Sequence, residues 1–215
     1  LQVLVPELVK RADLADALAR LESACQGVVP ADGQDANAAT AANTTTLAAL
    51  LDLLAIGSQK KGDLAVEIRA RELSLGVLAQ NDVDARAAQL ERLADLYGEA
   101  GRTQNAVDVL ASRVALGGND EKLAALFARI AQLEERELKN LPAAADALRG
   151  RLRFAPDDAQ ASKRLQQLLV ELKDDAGLVD ECLRRVARLR PGAERTELLL
   201  AAGDAAVSLG RNDQA

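Results

Sequence analysis

What constrains this chain most is a pattern that returns along it at intervals of 34 to 38 residues. The clearest copy spans residues 87–120, AAQLERLADLYGEAGRTQNAVDVLASRVALGGND. Leu90, Leu93, Ala94 and Tyr97 fall at i, i+3, i+4 and i+7, one face of an α-helix. Gly101 breaks the pattern, as a residue free to take positive φ does just past a helix end. Ala106, Val107, Leu110 and Val114 then draw the face of a second helix, which Gly117, Gly118 and Asn119 stop. A lone pair of short helices cannot bury both apolar faces, so the unit calls for neighbours of its own kind.

The chain supplies them. Residues 122–158 carry Phe127, Ile130 and Ala131 in the places of Leu90, Leu93 and Ala94. A turn is expected near residues 139–142, after which Ala144, Leu148 and Arg151 repeat Ala106, Leu110 and Arg113 at a spacing of 38. Residues 159–190 come next, with Leu165 and Leu169 on a first helix and Leu178 and Cys182 on a second, closed by Pro191 and Gly192. Residues 193–215 give a first helix bearing Leu199, Ala202, Gly203 and Ala206, and Ala215 stands in the place of Ala144.

Upstream, residues 47–80 form a further expected pair. Its first helix covers 47–56 behind an N-cap at Thr45 or Thr46, with a turn in 57–62. Its second helix covers 64–75, with Ala65, Ile68 and Leu75 as core. Anchoring this pair on Gly62 or on Arg71 gives registers three residues apart. Residues 1–26 hold an N-terminal helical segment, whose stripe is Leu8, Val9, Ala12, Leu14, Ala15, Leu18, Leu21 and Ala24. Residues 27–46 are small and polar and read as a linker or insertion, helical at most around 36–42. The chain opens on Leu1, contains no Met and closes within a helix pattern, so a piece of a longer array is expected.

Composition agrees with helices and narrows the chemistry. Apolar residues make up 49% and aromatics 1%, so the core is one of Leu, Ala and Val. A net charge of −6 argues against a nucleic-acid partner held by phosphate neutralisation. Histidine is absent, which removes the commonest general base and the commonest zinc ligand. Cys25 and Cys182 stand in no metal or redox spacing and read as buried apolar thiols. No run is long enough to cross a membrane, so membrane insertion is not expected. No cofactor, metal site or catalytic residue is expected. The compartment stays unknown, with the cytoplasm slightly favoured.

The ordered set Leu90, Leu93, Ala94, Tyr97, Gly101, Ala106 and Leu110 resembles the tetratricopeptide repeat, a helix–turn–helix family of about 34 residues per unit. The next unit keeps Phe127, Ile130, Ala131, Ala144, Leu148 and Pro156 but has Glu134 where the family has Tyr. The unit after that has Gln166 and Leu178 at the small-residue places. The resemblance covers most of residues 47–215. It implies an all-α, right-handed α-solenoid of antiparallel helix pairs, whose first helices line a groove for a protein or peptide. By position that groove would show Asp52, Lys60, Glu91, Asp95, Glu99, Gln132, Glu135, Lys163, Gln167 and Glu171. The Asn residues with which the chaperone-tail-binding members clamp a terminal carboxylate are missing, so that ligand is not expected.

Two local signatures add to this. Arg71, Arg113, Arg151 and Arg185 each stand three residues after an apolar residue of a second helix. They are expected to lay their stems on the next pair and reach an acidic partner there; the alternative is a row of cations for an acidic ligand. Arg184, Arg185, Arg188 and Arg190 form a basic cluster, expected to pair at i+4 with Asp180 and Glu181. The acidic doublets Asp82/Asp84, Asp157/Asp158 and Asp174/Asp175 sit where helices begin and read as caps. The function expected from all this is a non-catalytic protein-interaction scaffold or adaptor. The rivals are a structural spacer within a large assembly and a regulatory module of an enzyme encoded outside these residues.

Overall fold

A computed structural model describes residues 14–26, 38–79 and 82–210. Among them are ten α-helices and no strand, in two compact units. The N-terminal unit (Leu1–Leu116) holds α1 (Leu14–Gln26), α2 (Ala38–Lys61), α3 (Leu64–Val77), α4 (Val83–Glu99) and α5 (Thr103–Ala115). The C-terminal unit (Gly117–Ala215) holds α6 (Asp120–Arg136), α7 (Leu141–Phe154), α8 (Ala159–Glu171), α9 (Asp175–Val186) and α10 (Ala193–Ser208). Within each unit the helices pack as hairpins: α2 on α3 and α4 on α5 in the first, α6 on α7 and α9 on α10 in the second, where α8, expected as the partner of α9, packs on both α7 and α9.

The periodic residues of the clearest copy are the core. Leu90, Leu93, Ala94 and Tyr97 of α4 are buried, as are Ala106, Val107 and Leu110 of α5, while Val114 is half-buried. Small residues let the helices approach. Ala94 and Ala106 have no exposed surface, and the Phe127 ring of α6 lies on the backbone of α7 at Gly150, where a Cβ would come within 2.4 Å of the ring. Phe127 also stacks on Phe154, with ring centroids 5.9 Å apart. Turns repeat as well. Gly101 takes φ 68°, and the equivalent turns after α6 and α8 use Lys139 (φ 56°) and Lys173 (φ 57°). Side-chain caps start the helices: Asp63, Asp82, Asn119, Asn140, Asp158 and Asp174 each accept the N–H three residues on.

Four expectations need correction. The stretch 27–46 is not all linker: 27–37 lie outside the described residues, but α2 already runs from Ala38, so neither Thr45 nor Thr46 is a cap. Once Leu47–Ala55 packs, each preceding Ala, Asn or Thr adds a helical hydrogen bond at a propensity cost of tenths of a kcal/mol. Second, Gly57 is not a turn residue. The helix passes through it, Ser58 is buried and donates to the Leu54 carbonyl at 2.8 Å, and the chain turns at Gly62. Third, Ala65 is exposed and Leu75 half-buried; Val66, Ile68, Ala70 and Val77 make that face of α3. Fourth, the α1 stripe is Leu14, Ala17, Leu21 and Cys25, with Ala15 and Ala24 outside it. Residues 5–13 and 211–215, and with them the early α1 stripe and Ala215, lie outside the described residues.

Candidate functional site

The ten positions expected to line a groove divide between the units, and the two halves differ. In the N-terminal unit most are bonded internally. Asp52 of α2 accepts from Gln89 Nε2 at 2.6 Å and from Ser74 Oγ at 3.1 Å. The Gln89 carbonyl accepts from Arg71, and Arg71 donates in turn to Glu67. Glu67 is only 2% exposed and takes Arg92 as well, through Nε at 3.1 Å and Nη2 at 3.3 Å. One polar chain therefore stitches α2, α3 and α4 together. Glu91 accepts from Arg113 Nε at 2.7 Å, and Glu99 lies 3.7 Å from Arg92. Lys60 and Asp95 are exposed.

In the C-terminal unit the groove positions converge on Arg164, a residue that sequence reasoning missed. Its guanidinium donates to both oxygens of Glu135 on α6, at 2.8–3.2 Å, and to the Gln167 carbonyl at 2.8 Å; Glu171 stands 3.6 Å away. The bond to Glu135 holds the guanidinium's pKa above its usual value. Gln132, Lys163 and Gln167 remain exposed. Beside this brace an open cleft of about 660 Å³ runs between α6 and α8. Ala125, Ala128, Ala131, Ala161 and Leu148 line it together with Arg129, Gln132, Arg136, Arg151 and Gln160. A second open cleft of about 650 Å³, lined by Lys163, Gln167, Val170, Leu178 and Ala201 among others, lies between α8 and α10. Arg164 borders both. No periodicity could have found it, because its partner lies 29 residues away on another helix.

The arginine ladder is structural. Arg113 is 4% exposed and Arg185 7% exposed. Arg71 reaches Gln89, Arg151 pairs with Asp158 and Arg185 donates to Glu194 at 3.3 Å, each toward the following helix. Arg113 instead turns back to Glu91 on the first helix of its own pair. The basic cluster also differs from expectation. Glu181 holds Arg184 at i+3 and accepts from Ser162 Oγ, while Arg188 is 3.7 Å from Asp157. Arg149, Arg153, Arg184 and Arg188 line a cleft of about 610 Å³ between α7 and α9, with Asp180 and Glu181 among them.

Burial raises both thiols, that of Cys182 to about 11, which is the wrong direction for a nucleophile at neutral pH. Among the described residues no group of three or more His, Cys, Asp or Glu could hold a metal ion, and no helix is long and apolar enough to cross a membrane.

No protein-family model matches the chain, and no curated protein does. Several solved structures are similar to it, among them three of different proteins. BtubC from P. vanneervenii shares 17% identity over 94% of this chain and 87% of that one, at a TM-score of 0.41. MamA shares 19% over 80% of this chain and 86% of its own, at 0.43. The APC/C hetero-tetramer Cut9–Hcn1 shares 14% over 94% of this chain and 45% of that one, at 0.35.

Proposed function

We propose that this protein is a non-catalytic scaffold that holds a segment of a partner protein along the first-helix face of its C-terminal unit. One observation carries the reading: the α6–α8 cleft combines a floor of small residues with an open polar rim. Ala125, Ala128, Ala131 and Ala161 leave room for a partner backbone to come close, and Gln132, Arg136 and Gln160 offer donors and acceptors around it. The mechanism is preorganisation. Arg164 is already fixed by Glu135 and Gln167, and the rim stands on packed helices. A docking segment therefore meets a surface that has little of its own freedom to lose.

The same reading leaves the N-terminal unit to bracing, since Asp52 and Glu91 are bonded to its own helices. That observation also favours a second reading, a spacer in which these polar chains only stiffen the stack. Affinity capture separates the two. Arg136→Glu combined with Lys163→Glu changes exposed side chains, so circular dichroism is expected to show an intact fold. A scaffold loses its captured partner in this variant and keeps it in Lys60→Glu. A spacer keeps it in both.

A further inference from the structure

The charge lining the α6–α8 cleft is opposite to that of the chain. The protein as a whole carries −6, and the first helices of the N-terminal unit bear Asp52, Glu91, Asp95 and Glu99. Around this cleft stand the guanidinium groups of Arg129, Arg136, Arg151 and Arg164 against one carboxylate, Glu135, among the described residues. That carboxylate is already engaged, since Arg164 takes both of its oxygens. Asp158, off the lining, answers Arg151. Arg136 and, in the adjoining cleft, Lys163 are exposed and form no ion pair among the described residues. The α7–α9 cleft has as many arginines, but Asp180 and Glu181 line it with them, and Glu181 holds Arg184 through two hydrogen bonds. The excess of positive charge therefore lies over the α6–α8 cleft.

We propose that the segment held in this cleft is acidic: an extended internal stretch in which Asp or Glu alternates with Ser, Ala or Gly. The inference rests on the reading of the cleft as the partner-binding face and adds what the partner must carry. Alternate side chains of an extended segment point to opposite sides. Those turned to Ala125, Ala128 and Ala131 must be small for the backbone to come close, while those turned to the rim reach Arg136 and Lys163. Carboxylates are what the guanidinium groups here already hold, Arg164 through two oxygens and Arg151 through one, so acidic side chains match them. The acidic first helices of the N-terminal unit repel such a segment, and the cation excess of the cleft draws it in.

Fluorescence anisotropy with the whole chain tests it, using 12-residue peptides blocked at both ends so that no terminal carboxylate contributes. An Asp–Ser repeat is expected to bind saturably, at least tenfold tighter than a Lys–Ser or a Gly–Ser repeat, and to weaken as salt rises. Arg136→Glu with Lys163→Glu should weaken it at least tenfold, and Ala125→Leu, which fills the floor, at least threefold. Arg153→Glu, an exposed cation of the α7–α9 cleft, should leave it within twofold. All four positions are exposed, so circular dichroism should be unaltered. No saturable binding of the Asp–Ser repeat, or an equal loss in Arg153→Glu, would overturn the inference. So would an oligothymidine bound as tightly, or a charge-matched phosphoserine peptide bound tenfold tighter. A lysate partner lost by Arg136→Glu with Lys163→Glu, while the Asp–Ser repeat does not bind, would overturn this inference alone and leave the cleft as the partner-binding face.

Discussion

The two units put the same places of one repeat to different uses. On α2 and α4 the first-helix residues Asp52 and Glu91 are bonded to neighbouring helices, and Glu67 on α3 takes two arginines at once. On α6 and α8 a single guanidinium gathers Glu135 and Gln167, and Gln132 and Lys163 stay in solvent beside an open cleft. The difference lies in where the cations are planted. Arg71, Arg92 and Arg113 sit within reach of the N-terminal carboxylates and use them up, whereas concentrating the pairing on Arg164 leaves the rest of the C-terminal rim open to solvent. A first-helix face is thus closed by internal bonds or left open to solvent according to the neighbours that one or two arginines find.

The sharpest way to break this comparison is to remove the most buried carboxylate. Glu67→Ala takes the shared carboxylate from Arg71 and Arg92, leaving them Gln89 and Glu99, and is expected to lower stability by about 3 kcal/mol. Urea unfolding would measure it, and a loss under 1 kcal/mol would mean that the polar chain is not a brace. Next come two rungs of the ladder. Arg113 is buried, so Arg113→Ala should cost about 1–3 kcal/mol through lost packing and pairing. Arg151 is a third exposed, and Arg151→Ala should cost under about 1 kcal/mol. Similar losses in the two variants would erase the contrast between the units.

Much of this fold is legible in the sequence. The periods around Leu90 and Leu110 give the buried faces, and Gly101 gives the turn. The start of α2 is not legible, because Ala38–Thr46 carries no large apolar residue to mark a face and is held helical by the packed turns of Leu47–Ala55. Ser58 hid the continuity of α2 in a similar way: next to Gly57 it reads as a turn, yet its hydroxyl bonds back into the helix. At the site, the positions on the first helices could be read off by register, but their partners could not. Whether Glu91 faces solvent depends on Arg113, 22 residues away, and Glu135 on Arg164, 29 residues away. Those distances arise from stacking, which periodicity does not encode.

Smaller effects sharpen the contrast at the turns. Gly101 adopts its left-handed φ without strain, whereas Lys173 holds the same conformation against the steric cost of a Cβ. Lys173→Gly should therefore stabilise the C-terminal unit by about 0.5–1 kcal/mol, read as a rise in Tm. The smallest effect at neutral pH concerns Tyr97, the only tyrosine in the chain. Burial, and then its 2.5 Å hydrogen bond to Glu72, push its pKa up to about 12. A folded pKa above the unfolded value of about 10 means that its contribution is complete below pH 10 and is lost as pH rises through about 12. Ultraviolet absorbance should give one phenol midpoint near 12 in the folded protein. A midpoint near 10 would place the ring in solvent and contradict the packing of α4.

The claim that joins these observations is that the C-terminal first-helix face is the one that meets a partner. Placing a photo-cross-linking residue at Gln132, at Lys163 or at Lys60 in the whole chain, and irradiating each in a lysate of the source cells, tests it most directly. The account predicts one common adduct from Gln132 and Lys163, competed away by excess unlabelled protein, and none of that size from Lys60. The same adduct from Lys60 alone, with Gln132 and Lys163 silent, would contradict it.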